Sequence, residues 1–193
     1  MTADTEGLHR LQNADPTDRL ADIVFVHGLG GGSHATWRHG QENAPDHFFW
    51  PAELAKDLPQ CGVWSLGYEA GITAFGNPGM AIGERGLNFA RELQHSGVGL
   101  DRPLLFIAHS LGGLVVKALI DGCHLNVDPA LEHLVRRIAG IAFCGTPHLG
   151  SSFASAAKVL NRYFHWAAQG HLEEMARNEK GLELLHGDRK SVV

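Results

Sequence analysis

Four short apolar runs constrain this chain more than any other feature. Residues 22–26 read Asp-Ile-Val-Phe-Val, 62–66 read Gly-Val-Trp-Ser-Leu, 103–108 read Pro-Leu-Leu-Phe-Ile-Ala and 138–143 read Ile-Ala-Gly-Ile-Ala-Phe. Three of them are nearly continuous in apolar residues. A strand with one wet face alternates polar and apolar side chains, whereas a strand buried on both faces does not. The runs therefore fit a parallel sheet covered by helices.

Helical spacing fills the gaps between them. Segment 51–58 opens with Pro51, a good first helical residue, and holds Leu54 and Leu58 on one side. Segment 80–95 places Ile82, Leu87, Ala90 and Leu93 at helical intervals, and 111–121 carries a stripe of Leu111, Leu114, Val115, Ala118 and Leu119. A short helix is expected at 129–136, and two more at 152–168 and 171–185. Strands alternating with helices predict right-handed crossovers and an α/β fold: a doubly wound, mostly parallel sheet with helices on both faces. Residues 1–20 read as a polar N-terminal segment and 21–193 as the domain. The glycine-rich stretch 66–79 reads as a long loop at the C-terminal end of a strand, where such sheets bind ligands.

Composition narrows the function classes. A chain of 193 residues suits one domain, and 44% hydrophobic with 19% charged residues supports a core rather than disorder. Twenty-four glycines, about 12%, exceed the usual level of about 7% and suggest tight turns and close backbone approaches. The net charge of -5 comes without a basic stripe, so nucleic acid is not an expected partner. No apolar stretch reaches membrane-spanning length, and the first 19 residues lack the apolar middle of a signal peptide. Three cysteines without paired spacing fit a reducing, cytoplasmic setting. The 13 histidines show no metal-ligand spacing, so neither metal nor cofactor is expected.

Ala108-His109-Ser110-Leu111-Gly112 follows a buried run and opens a helix. That is the setting of a nucleophile elbow, in which a serine sits on a strained strand-to-helix turn and projects from the sheet. The turn needs small residues two before and two after the serine, because strand and helix backbones nearly touch. Ala108 and Gly112 meet the need, although glycine is usual at the first position, and Gly113 adds room. A serine that merely caps the helix is the structural alternative. His27-Gly28-Leu29-Gly30-Gly31-Gly32 follows the first run. Paired with the elbow, this loop nominates the backbone N–H groups of Leu29 and Leu111 as oxyanion donors. Gly28, Gly30 and Gly31 also partly mimic a dinucleotide fingerprint, with Glu69 after the next run. The third fingerprint glycine falls at Ser33, which breaks the match. Trp37, Phe48, Phe49 and Trp50 read equally as an acyl-pocket lining or as core.

The stretches Phe25–Gly31, Ala108–Lys117 and Cys144–Ser151 occur in an order that resembles the serine-esterase, lipase-like branch of the α/β-hydrolases. That branch includes the DUF676 lipase-like, SERAC-type and PGAP-type proteins. The resemblance spans roughly residues 20–155. It implies an acyl-enzyme on Ser110 acting on carboxylic esters, with lipid esters in range. The expected partner is thus a small-molecule or lipid ester.

The family's triad runs serine, acid, histidine along the chain. After Ser110 one clear strand remains, at 138–143. No apolar strand precedes His186 or Asp188, so the fold reads as lacking its C-terminal strands. His148 is the internal candidate for the base, against a purely structural role for Gly145-Thr146-Pro147-His148. His27 is expected to brace its loop and His109 to point toward packing. Ser151 reads as a helix cap. The alternative to an esterase is a catalytically incomplete, hydrolase-like interaction or regulatory module, or a fragment of a larger signalling protein with partner domains.

Overall fold

The computed structural model describes residues 6–11, 18–40, 44–70, 78–125 and 128–147. Strand β1 covers Gly7–Arg10 and β2 covers Ala21–Val26. A 3-10 turn at Ala35–Trp37 leads to a two-strand ribbon of β3 (Arg38–His39) and β4 (Phe48–Phe49). Then come α1 (Trp50–Asp57), β5 (Cys61–Gly67), α2 (Pro78–His95) and β6 (Leu104–His109). Helices α3 (Leu111–Leu125) and α4 (Pro129–Arg136) and strand β7 (Ile138–Cys144) complete the described elements.

Five strands form one sheet in the order β1-β5-β2-β6-β7. All pairs are parallel except β1 with β5. The mostly parallel sheet expected from the four runs is therefore present, and each run matches a strand within one residue. Gly7–Arg10, which the sequence places in a polar segment ahead of the domain, instead extends the sheet as an edge strand. Three of its four residues are half-buried; Leu8 packs against the core, and the Arg10 guanidinium lies 5.7 Å over the Trp64 ring.

The strands divide their side chains between two layers. Val24 and Val26 of β2, Leu66 of β5, and Leu104, Phe106 and Ala108 of β6 face one side. There they meet Phe89, Ala90 and Leu93 of α2, Val115, Val116 and Leu119 of α3, and Leu131 and Leu134 of α4. Ile23, Phe25 and Val63 face the other side, where they meet Trp37 of the 3-10 turn and Ala55 of α1. Helices thus cover both faces, and this two-sided burial accounts for the apolar runs of β2, β5 and β6; β7 is half-buried or exposed along its length. Burying a side chain such as Phe25 or Phe106 contributes about 1.5–3 kcal/mol.

At the N-terminal end of β2 a carboxylate is fully buried. Asp22 accepts from the Gly99 amide at 2.9 Å and the Trp64 indole at 3.3 Å. The Arg19 and Arg102 guanidinium groups approach it to 3.3 and 3.8 Å. Gly62, the register partner of Asp22 on β5, leaves no room for a Cβ beside that carboxylate.

Successive strands leave β2 in opposite directions. The chain passes from β2 outward to β5, then crosses back to β6 on β2's other side. Connections that diverge from neighbouring strands open a crevice at their C-terminal ends, the place where open α/β sheets bind ligands. Among the described residues no helix is long and apolar enough to cross a membrane. The chain divides into two units, 1–146 and 147–193, and every element described here lies in the first.

Candidate functional site

Ser110 occupies the turn between β6 and α3. Its φ of +50° makes it the sole non-glycine residue with positive φ among those described. A left-handed backbone is costly for a residue with a Cβ and persists only where the surroundings enforce it. Here β7 enforces it, because the Ser110 amide donates to the Cys144 carbonyl at 2.9 Å. The Ser110 carbonyl in turn accepts from Gly113 at 3.1 Å as the helix starts. The side chain is half-buried.

Close packing surrounds the turn. A Cβ on Gly112 would fall on the Val26 and His27 carbonyl oxygens, so α3 lies directly against the end of β2. A Cβ on Gly113 would collide with Thr146. Ala108 is fully buried and has room for its methyl, so its departure from glycine is accommodated. These contacts supply the reason for small residues around Ser110.

The loop after β2 comes to the same place. A Cβ on Gly28 would lie 2.8 Å from the Ser110 Cβ and 3.0 Å from the His109 carbonyl oxygen, so glycine lets this loop touch the turn. Gly28 to Gly31 forms a β-turn closed by the Gly31 amide on the Gly28 carbonyl at 3.1 Å. Gly30 at φ +66° fills the third position, as a type II turn requires. Among the described residues, neither the Leu29 nor the Leu111 amide donates to a backbone carbonyl. Leu111 opens α3, where the first amides have no intrahelical acceptor. The dinucleotide reading fails here, because the glycines lead into a turn and a 3-10 segment, not a helix that could hold a pyrophosphate.

His27 is completely buried. Its Nδ1 lies 2.9 Å from the Gly28 carbonyl and must donate to it, while Nε2 accepts from the Tyr68 amide at 3.3 Å. The imidazole is thereby fixed as the neutral Nδ1-H tautomer and braces its loop, as expected. Tyr68 stacks on it at 4.2 Å and donates its hydroxyl to the His27 carbonyl at 2.6 Å. Burial pushes the Tyr68 phenol well above its ordinary range, against the opposing pull of Arg85, so it stays a donor. Sequence reasoning missed Tyr68. Its one local signal is an aromatic residue just past a buried strand, which says nothing of a partner 41 positions away.

His109 does not point into the core. It lies at the surface beside Gly28, with its ring partly covered by Trp37, 6.2 Å away in an edge-to-face arrangement. Partial burial lowers its pKa below the ordinary 6.5. Trp37 and Trp50 pack against Phe25 at 5.0 and 5.3 Å, and Phe49 lies against His34 at 4.2 Å; Trp37 is a buried core residue, and the half-buried Phe49 and Trp50 pack against it. Phe48 is exposed. All three cysteines are free, and burial raises the thiol pKa of Cys61 and Cys123, which suits a packing role rather than a nucleophilic one.

The structure therefore brings Ser110, Leu111 and the Gly28–Leu29 peptide together. His148, Ser151, His186, Asp188 and the two helices expected beyond residue 151 lie outside the described residues.

Among known proteins, residues 18–191 match the family model described as "Putative serine esterase (DUF676)". Protein SERAC1 of Mus musculus is 31% identical over 184 residues, covering 87% of this chain and 27% of that protein. Protein SERAC1 of Danio rerio is 31% identical over 185 residues, covering 86% and 27%. The chain thus spans little more than a quarter of the length of these curated relatives. Among solved structures, the Bacillus licheniformis lipase BlEst2 in mature form superposes with a TM-score of 0.45 at 24% identity, covering 78% of this chain and 51% of that one. YbtT, a type II thioesterase from the yersiniabactin pathway, gives a TM-score of 0.44 at 19% identity, covering 90% and 62%.

Proposed function

The chain belongs to the DUF676 serine esterase family, and from that premise we propose that it hydrolyses carboxylic esters through an acyl-enzyme on Ser110. The Ser110 Oγ attacks the ester carbonyl carbon and passes its proton to a base. The C–O bond of the ester then breaks, and the alcohol leaves with that proton. Water repeats the sequence on the acyl-enzyme and frees the acid. The Leu29 and Leu111 amides hold the oxyanion formed at each step. The observation that carries this reading is the left-handed Ser110, wedged between β6 and α3 with the Gly28 backbone against its Cβ.

His27 is not the base, since both ring nitrogens are engaged. His148 keeps that role in the proposal. The substrate is a small-molecule or lipid ester.

A fluorophosphonate probe tests the reading. The full-length protein is expected to label at Ser110, and Ser110→Ala is expected to abolish labelling. Absence of labelling in folded wild type, or equal labelling of Ser110→Ala, would sink the proposal.

A further inference from the structure

We infer that His27 and Tyr68 are positioning residues that set the direction of the Leu29 amide, a role that rests on the Ser110 esterase reading above. The argument starts from peptide geometry. In a planar trans peptide the C=O and the next N–H point in opposite directions. The Gly28 carbonyl shares its peptide plane with the Leu29 N–H. Two donors hold that carbonyl: the His27 Nδ1 at 2.9 Å and the Gly31 amide at 3.1 Å. With the oxygen tied back, the Leu29 N–H can only face the other way.

The peptide on the far side of Leu29 is tied as well. Its N–H belongs to Gly30 and donates to the Ala70 carbonyl at 2.8 Å. Both peptides flanking Leu29 are therefore anchored, one through its oxygen and one through its nitrogen. Glycines at 28 and 30 explain why anchors are needed. Residues without a Cβ rotate freely, and a loop rich in them has no intrinsic preference for one peptide orientation. Were the 28–29 peptide to turn over, a carbonyl oxygen would replace the N–H, and an acceptor repels an oxyanion.

The anchors share a source. Tyr68 and Ala70 follow β5, the strand beside β2. Tyr68 acts through His27 three times: its amide holds Nε2 at 3.3 Å, its ring stacks on the imidazole, and its hydroxyl holds the His27 carbonyl at 2.6 Å. The Nε2 contact also selects the tautomer that leaves Nδ1 protonated for Gly28. The Arg85 guanidinium of α2 lies over the Tyr68 ring, 5.8 Å from its centroid. The exit of β5 thus works as a brace for an amide located on the loop after β2.

Three variants of the full protein test this, with kcat and KM on a p-nitrophenyl ester, the rate of fluorophosphonate labelling, and thermal melts. His27→Leu keeps bulk but removes the Nδ1 donor. Tyr68→Phe removes only the hydroxyl and keeps the stacked ring. His27→Asn restores a donor near the Nδ1 position. His27→Leu is expected to lower kcat by about tenfold or more, short of or reaching the roughly 10²–10³ that follows loss of a whole oxyanion donor. KM should hold, since the interaction lost belongs to the transition state. Tyr68→Phe should move the same parameter in the same direction by less, and His27→Asn should recover most of the His27→Leu loss. Should His27→Leu not fold, Tyr68→Phe carries the decision.

Wild-type kcat in a folded Tyr68→Phe, or equal losses in His27→Asn and His27→Leu, would overturn the inference while leaving the esterase reading intact. Wild type that neither labels nor turns over would end both.

Discussion

Replacing Ser110 by glycine should make the protein more stable while removing the chemistry proposed for it. The backbone at Ser110 has φ +50°, and a residue with a Cβ in that conformation stores strain of about 2 kcal/mol, within the general range of about 1–3. Glycine releases it. Against this stands the greater freedom of glycine in the unfolded chain, about 0.7 kcal/mol. The Ser110 Cβ is half-buried against Gly28, and its loss removes packing of about 0.4 kcal/mol, half of a fully buried methylene. A net gain of about 1 kcal/mol remains, which for a chain of 193 residues raises Tm by about 2–4 °C. Ser110→Ala is the control. It deletes the same hydroxyl but keeps the Cβ and hence the strain, so its Tm should stay at the wild-type value. Differential scanning calorimetry on the three proteins, with fluorophosphonate labelling alongside, reads the outcome. If Ser110→Gly melts at or below Ser110→Ala, the turn is not strained, and the case for an elbow built to lift this side chain fails.

Three further outcomes follow from the geometry. Gly112→Ala drives a Cβ onto the Val26 and His27 carbonyls and should cost about 2–3 kcal/mol of overpacking. Gly30→Ala meets open space at φ +66° and should cost only about 1 kcal/mol; urea midpoints in the reverse order would refute the packing described. Asp22→Asn leaves Arg19 and Arg102 beside a neutral amide and should cost about 3–5 kcal/mol. Asp22 lies four residues, about 13 Å at 3.3 Å per residue, from the end of β2, so labelling per folded molecule should not change. A loss of labelling at full stability would contradict that separation. Burial lowers the His109 pKa below its unfolded value of 6.5. The unfolded chain then binds more protons just below 6.5, so stability falls as pH drops through that window. Melts of wild type and His109→Gln at pH 5 and pH 7 should show a smaller pH effect in the variant; identical slopes would remove His109 from the account.

Strands β2, β5 and β6 were legible because burial on both faces writes itself as apolar runs, whereas β7, half-buried or exposed along its length, was legible from its apolar composition alone. Ser110 was legible because the turn demands small neighbours on both sides, and Ala108 and Gly112 supply them. The rest of the sheet was harder to read. β1 holds one core-facing residue, Leu8, and an edge strand needs polar side chains, so nothing in Gly7–Arg10 separates it from a polar leader. The β3–β4 ribbon has two residues a strand, too short for any period to register. The packing of Trp37 and Trp50 on Phe25 and on each other was not legible, because aromatic residues serve core and pocket alike. Tyr68 was invisible for a different reason. Its function depends on β5 pairing with β2, and pairing across 41 positions is a property of topology rather than of local pattern.

The parallel order of the strands has a consequence for how the molecule is assembled. Segments around residues 28, 68, 110 and 144 meet only after β2 has found both β5 and β6, and β6 has found β7. No hairpin or single βαβ unit contains all four. Under the proposed esterase reading, a refolding chain stays chemically silent until its most distant pairings have closed. The moment at which a quenched sample first captures a phosphonate would time completion of the sheet, a stopwatch written into the topology.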